Sequence, residues 1–336
     1  MTVRRQERAA PAAGRGGAAW IRATLTALTG AALVTAPGGV GGQGGPEASA
    51  GDASGRPAAV VRTLAGPIPA GTGGMDVDRD GNVYTADFGE TLGGPPGTTV
   101  YRITPDGRVE AWATGLVGAS GNAFASNGDL FQSNIRAGVV SRIAPDGTVR
   151  TFATGLAAPV GIAVVPGDTL FVANCGNHTI ARVDPDGAVH PFAASELLRC
   201  PNGITLASDG NFYVANFGDG SVVRVTRRGE VSLFATLPGG NNGHILFGND
   251  RLYVVARRAN QIYELDLEGN ATLLAGTGER GLKDGPALEA TLSVTNDLAL
   301  SPDGRRLYFN DVGQTTEPHN VLTPTVVRYV ELAPGG

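Results

Sequence analysis

From residue 58 onward, short apolar runs alternate with glycine-centred turns, and the alternation repeats. One unit is a glycine, three or four mostly apolar residues, an Asp-Gly or Asn-Gly turn, and an aromatic-containing apolar run ending in Asn or Asp. It occupies Gly74 to Asp87, Gly121 to Asn134, Gly161 to Asn174, Gly203 to Asn216 and Gly243 to Ala256, with a sixth copy from Asp297 to Asp311. A second hairpin follows, as in Val100 to Trp112, Val140 to Phe152 and Ile180 to Phe192. Asp-Gly supplies the positive φ that tight hairpins need, and the flanking runs are short strands. Four strands in each repeat of about 45 residues, six times over, predict an all-β, six-bladed β-propeller. No long segment of helical period competes with it.

The two ends of the repeat array are complementary. The sixth copy stops after its third strand, Thr325 to Val330, while Ala59 to Ala65 has the pattern of a fourth strand such as Val149 to Ala153. The N-terminal strand is therefore expected to complete the last blade and close the ring, leaving no open sheet edge. The propeller is assigned to 58–334.

In such blades the Asp-Gly turns share one face, and their monotony marks it as structural. The other face carries the blade-to-blade connections and the loops between second and third strands, which vary in length and content. Binding is expected on that variable face. Just before the aligned glycine stand Gly73, Ser120, Val160, Asn202, Asn242 and Asn296, and Asp297 replaces the glycine itself in the sixth copy. Equivalent positions converge on one axis, so Asn202, Asn242, Asn296 and Asp297 are candidate ligands for a divalent cation, their oxygens suiting Ca²⁺, Mg²⁺ or Mn²⁺. The competing expectation is that these asparagines bond neighbouring backbone, as Asn does in turns.

Pro201-Asn202-Gly203-Ile204, followed by the run Asp209 to Asn216, resembles the senescence marker protein/gluconolactonase family and, more distantly, paraoxonases and strictosidine-synthase-like proteins. Ala275 to Pro286 with Leu298 to Gly304 resembles NHL-repeat propellers instead. The first resemblance implies a Ca²⁺ or Zn²⁺ at the channel top that polarises a lactone, held by a Glu, two Asn and an Asp. Asn202 matches one asparagine, Asn242 and Asp297 fall at others, and the glutamate has no counterpart: Thr72-Gly73-Gly74-Met75 stands there. The expected function is a metal-dependent hydrolase of lactones or related esters, with Asp297 or His244 relaying a proton. The alternative is a non-catalytic, NHL-like propeller that binds a ligand or protein partner. A lyase of the virginiamycin type would need a His/Glu/His set, for which His244 with Glu279 or Glu289 is the nearest imitation.

Several further residues stand on the variable face. Asp87, Asn134, Asn174, Asn216 and Asp311 end second strands and are expected to cap turns. Arg257 and Arg258 could orient an anionic substrate, but a solvated pair is the default expectation. His178 and His319 lie in loops that could line a cleft. The glycines are expected to serve turns. Cys175 and Cys200 lie on the same face in successive blades and are expected to form a disulfide if the chain is exported.

Composition narrows the partners. The 336 residues carry 42% hydrophobic and only 17% charged residues, enough apolar material for a sizeable core. The net charge is −5, and the first 50 residues hold five Arg and two Glu, so the remainder is near −8. That argues against nucleic acid and anionic membranes. A small-molecule substrate or ligand and a monomeric state are expected, with no membrane span after residue 50. Arginines ahead of the weakly apolar stretch Ala23 to Ala36 predict an export signal at 1–36, and Gly/Pro-rich 37–57 reads as linker, giving a periplasmic or extracellular protein.

Overall fold

The computed structural model describes residues 59–332. The export signal expected at 1–36 and the linker expected at 37–57 lie outside the described residues. The described chain forms six antiparallel sheets, one per sequence repeat. The first blade runs Met75–Val77, Val83–Ala86, Thr99–Ile103 and Val109–Thr114, innermost strand first. Ala119–Phe124, Pro159–Val165, Pro201–Leu206 and Ile245–Gly248 open the next four blades, and Leu298–Leu300 opens the sixth. These six innermost strands touch in cyclic order, the last against the first.

Closure is as expected. Val60–Ile68 pairs antiparallel with Thr325–Glu331, with Val60 opposite Glu331 and Ile68 opposite Thr325. One strand was not legible beforehand: Gly285–Pro286, from the connection between the fifth and sixth blades, pairs with Val60 and Val61 on the outer edge. It covers part of a strand edge that would otherwise offer free N–H and C=O groups.

Burial explains the hydrophobic pattern. Second strands are sandwiched between neighbouring blades, so Leu130–Asn134 and Phe212–Asn216 are buried at every position, without alternation. Fourth strands lie on the rim, and Val231–Thr236 has no buried residue. The apolar residues divide into one cluster per blade interface. Tyr84, Val100, Leu130 and Ile143 join the first blade to the second, and Val61, Ile262, Leu307 and Phe309 join the fifth to the sixth. Each repeat thus stabilises only its neighbours, and the ring is complete when the last interface, with Ile68, Val83, Ile103 and Val327, has formed.

Candidate ligand site at the propeller mouth

The innermost strands approach more closely than a side chain would allow. A Cβ on Gly121 would lie 2.4 Å from the Val160 carbonyl oxygen and 2.8 Å from Gly161 Cα; one on Gly203 would lie 2.5 Å from Ile245 N. Gly74, Gly161 and Gly243 are equally crowded by backbone, and none of the five has a positive φ. These glycines therefore serve close approach around the axis, which corrects the expectation that the chain's glycines are turn glycines. Where the sixth copy has Asp297, the carboxylate enters the space that the glycines leave.

The ring places the predicted site residues as follows. Asn202 Nδ2 donates to the Asn242 carbonyl (3.2 Å), Asn242 Nδ2 to the Ser221 carbonyl (3.1 Å) and Asn296 Nδ2 to the Thr72 carbonyl (2.7 Å). Each amide thereby links adjacent blades through backbone. Asn242 Oδ1 is buried with no partner. Asp297 Oδ2 accepts from Met75 N (2.9 Å) and Oδ1 from Leu298 N (2.7 Å). His244 Nδ1 lies 3.1 Å from Asp297 Oδ2, so the fifth and sixth blades do bring these two together. Both are about 5% exposed. Burial pushes the Asp297 carboxyl well above its usual range, backbone donors oppose that, and the nearby Asp76 charge adds to it. Burial pulls the His244 imidazole down to about 3. Both shifts favour the uncharged forms. His244 Nε2 is buried and unpartnered. Glu279 and Glu289 are exposed and do not pair with His244. Among the described residues no group of three or more His, Cys, Asp or Glu side chains is placed to hold a metal ion.

Above the ring, on the variable face, the strand ends fix the connections. Asn134 Oδ1, Asn174 Oδ1, Asn216 Oδ1 and Asp311 Oδ1 accept from Val117 N, Ala157 N, Arg199 N and Ser293 N, the same cap in four blades. Cys175 and Cys200 form a disulfide between the third blade and the connection into the fourth. The chain then climbs into the second to sixth blades through a residue of positive φ: Gly118, Ala158, Cys200, Gly240 and Val294. Val294, at φ 60°, is β-branched and costs about 1–2 kcal/mol there. Its N–H bonds Asn260 Oδ1 (3.3 Å), and its side chain packs with Phe88, Val312 and Leu322. Over this cluster the loops of the first and sixth blades bridge at Thr91 and Val321, with Leu92 N donating to the Asn320 carbonyl (2.9 Å).

Between these loops and the fourth and fifth blades lies a cavity of about 200 Å³. Leu92, Phe217 and Val294 supply apolar wall; Arg257, Arg258, Asn241, His319 and Asn320 supply polar atoms. Arg258 is exposed as expected, but Arg257 is not solvated: it is 7% exposed, and its Nε has no hydrogen-bond partner. Its guanidinium carbon lies 5.8 Å from the centre of the Phe217 ring, and among the described residues no carboxylate pairs with it. Burial, with the charges of Arg280 and Arg258, lowers it to about 10. The same surroundings hold His319 below its usual range: burial first, then Arg280, Arg257 and Arg258. Arg280 donates to Ser293 Oγ (3.1 Å) and the Gln314 carbonyl (3.2 Å), again without a carboxylate. His178 takes no part; its Nδ1 accepts from Cys200 N (2.8 Å). The adjacent arginines were visible in sequence. The burial of the first was not, because loops from three other blades create it.

A larger hollow of about 650 Å³ lies on the Asp-Gly face between the sixth and first blades. It is lined by charges of both signs, including Arg79, Asp80, Arg305, Asp303 and Glu331. Asp303 bonds Ser301 Oγ and Arg305 N, Glu331 meets Arg62, and Arg79 donates to the Ser126 carbonyl. Asp303, Glu331 and Arg79 thus each have a protein partner, which the Arg257 Nε of the mouth lacks.

Fold and loops together define a six-bladed propeller with a cavity on its loop face. A model of the virginiamycin B lyase family matches residues 94–265, more than half of the sequence, and the chain belongs to that family. Among solved structures it is similar to a streptogramin B lyase (15% identity, 82% of this chain and 98% of that one, TM-score 0.60). It is also similar to a gluconolactonase from Xanthomonas campestris (16%, 81% and 89%, TM-score 0.61). A third is an auxiliary nutrient binding protein from Bacteroides ovatus (16%, 81% and 76%, TM-score 0.63). At such identities the likeness is one of fold. No functionally curated protein matches the chain by sequence. Among the described residues no helix is long and apolar enough to cross a membrane.

Proposed function

We propose that this member of the virginiamycin B lyase family is a binding propeller that takes a small organic molecule at the loop-face mouth, and that it works outside the cytoplasm. The observation carrying this is the mouth cavity, where side chains from the first, fourth, fifth and sixth blades converge on open space. The buried pair His244 and Asp297 is shut in below it. The Cys175–Cys200 disulfide supports an oxidising compartment. Thermal-shift screening of small organic molecules tests the site, with Leu92→Trp beside the wild type, because the added ring at an exposed loop position fills the mouth. Stabilisation that disappears in Leu92→Trp is expected. Stabilisation that persists in the filled variant, or lactone turnover abolished by Asp297→Asn, overturns the reading.

A second reading is hydrolysis of a lactone or ester assisted by a divalent cation, calcium first. What favours it is the buried, unpartnered Asn242 Oδ1, an acceptor oxygen in the ring. Asn202, Asn242, Asn296 and Asp297 would hold the ion, which supplies Lewis acidity toward a carbonyl. Asp297 or His244 would relay the proton from water. Metal analysis of the purified protein decides it: one ion per chain, lost in an Asn202→Ala/Asp297→Ala variant, supports this reading, and none after calcium addition removes it.

A further inference from the structure

We infer that the mouth is a binding site for the oxyanion group of a small organic ligand, a carboxylate or a phosphomonoester, with Arg257 as its principal contact and Phe217 and Leu92 against its apolar body. The inference rests on the mouth being the ligand site and adds the chemical class of what enters.

The central observation is an unpaired buried cation. A guanidinium removed from water without a counter-ion is costly, and folded chains avoid it by pairing. This chain does pair its other deeply buried arginine: Arg328 reaches Asp311 (2.9 Å) and Asp284 (2.8 Å). Arg257, 7% exposed, lines a cavity, has an unpartnered Nε and meets no carboxylate. A planar guanidinium with free donors fits the two oxygens of a carboxylate or phosphate.

The surroundings carry the same sign. Arg258 and His319 line the cavity, Arg280 stands close enough to perturb both Arg257 and His319, and no acidic side chain lines the space. Glu90, Glu279 and Glu317, on the loops around the mouth, are exposed. A positive pocket in a chain of net charge −5 is a local arrangement and does not follow from composition. The opposite wall is apolar, which a bare inorganic anion would not use. The volume, about 200 Å³, equals roughly seven waters at ~30 Å³ each, room for a benzene-sized body bearing one oxyanion.

Isothermal titration of the full mature protein at fixed low salt tests this with phenyl phosphate, benzoate, inorganic phosphate and neutral benzyl alcohol. Phenyl phosphate or benzoate is expected to bind at least tenfold more tightly than benzyl alcohol and than inorganic phosphate, and their order identifies the oxyanion. Arg257→Met is expected to lose at least tenfold, and Leu92→Trp to abolish binding. Benzyl alcohol binding as tightly as benzoate, and blocked by Leu92→Trp, overturns the anion assignment while the mouth remains the site. Anion binding undiminished in Leu92→Trp overturns the site itself. Inorganic phosphate equal to phenyl phosphate overturns the organic body, and no anion binding overturns the whole inference. The charged-versus-neutral comparison uses only the wild type, so it holds even if Arg257→Met does not fold.

Discussion

Arg328 and Arg257 are both withdrawn from water, one in the sixth blade and one at the mouth. Arg328 is fully buried and satisfied at every nitrogen: Nη1 reaches Asp311 and the Thr291 carbonyl, Nη2 reaches Asp284 and the Lys283 carbonyl, and Nε reaches Asp284. Those contacts tie the long connection at 283–291 to the strand Thr325–Glu331. Arg257 is placed over an aromatic ring, near two other arginines, with no carboxylate. The difference separates a cation that organises a fold from one left available to a ligand. Local sequence does not distinguish them; the presence or absence of a carboxylate across the blade does.

The comparison can be broken at its strong end first. Arg328→Met leaves Asp311 buried and unpaired and should cost about 3–5 kcal/mol in urea unfolding. Arg257→Met removes an unpaired buried charge and should leave stability unchanged or raise it. Equal losses in the two variants would end the distinction. Next in size is the disulfide beside the mouth. Replacing Cys175 and Cys200 by serine opens a loop of 25 residues and should cost about 3 kcal/mol.

Beneath the mouth, Gly203→Ala forces a Cβ to 2.5 Å from Ile245 N and 2.6 Å from His244 Cα. A loss of about 1–3 kcal/mol is expected from overpacking, measurable by calorimetry. The smallest effect concerns pH. Asp76 is raised to about 6 by burial, against its two backbone donors and with the charge of Asp78, and burial raises Asp297 well above its usual range. Such groups bind more protons folded than unfolded, so their contribution to stability is present at low pH and is lost as pH rises from about 4 through 6 and beyond. His244, lowered to about 3 by burial, has the opposite sign over the same range, so the Asp297 contribution is read as a difference: relative to Asp297→Asn, the wild type should lose melting temperature between pH 5.5 and pH 7.5. A difference of opposite sign would remove Asp297 from the account.

The blades and their closure were legible because the repeat of about 45 residues carries its own turns and its own missing strand. The disulfide was legible because topology puts Cys175 and Cys200 on one face. Gly285–Pro286 was not, since two residues carry no periodicity. The role of Gly121 or Gly203 was hidden because close approach involves strands about 40 residues away. Asn202, Asn242 and Asn296 stand at the entries to innermost strands, while the direction of each amide depends on a carbonyl of a neighbouring blade. The burial of Arg257 arises from Phe217, Val294 and Leu92, none adjacent in sequence.

The central claim is that the mouth holds an oxyanion on Arg257, and a crystal structure with phenyl phosphate tests it most directly. The account predicts phosphate oxygens within hydrogen-bond distance of the Arg257 guanidinium and the ring against Phe217 and Leu92. Phosphate on the opposite face beside Arg79 and Arg305, with the mouth filled by solvent alone, would contradict it.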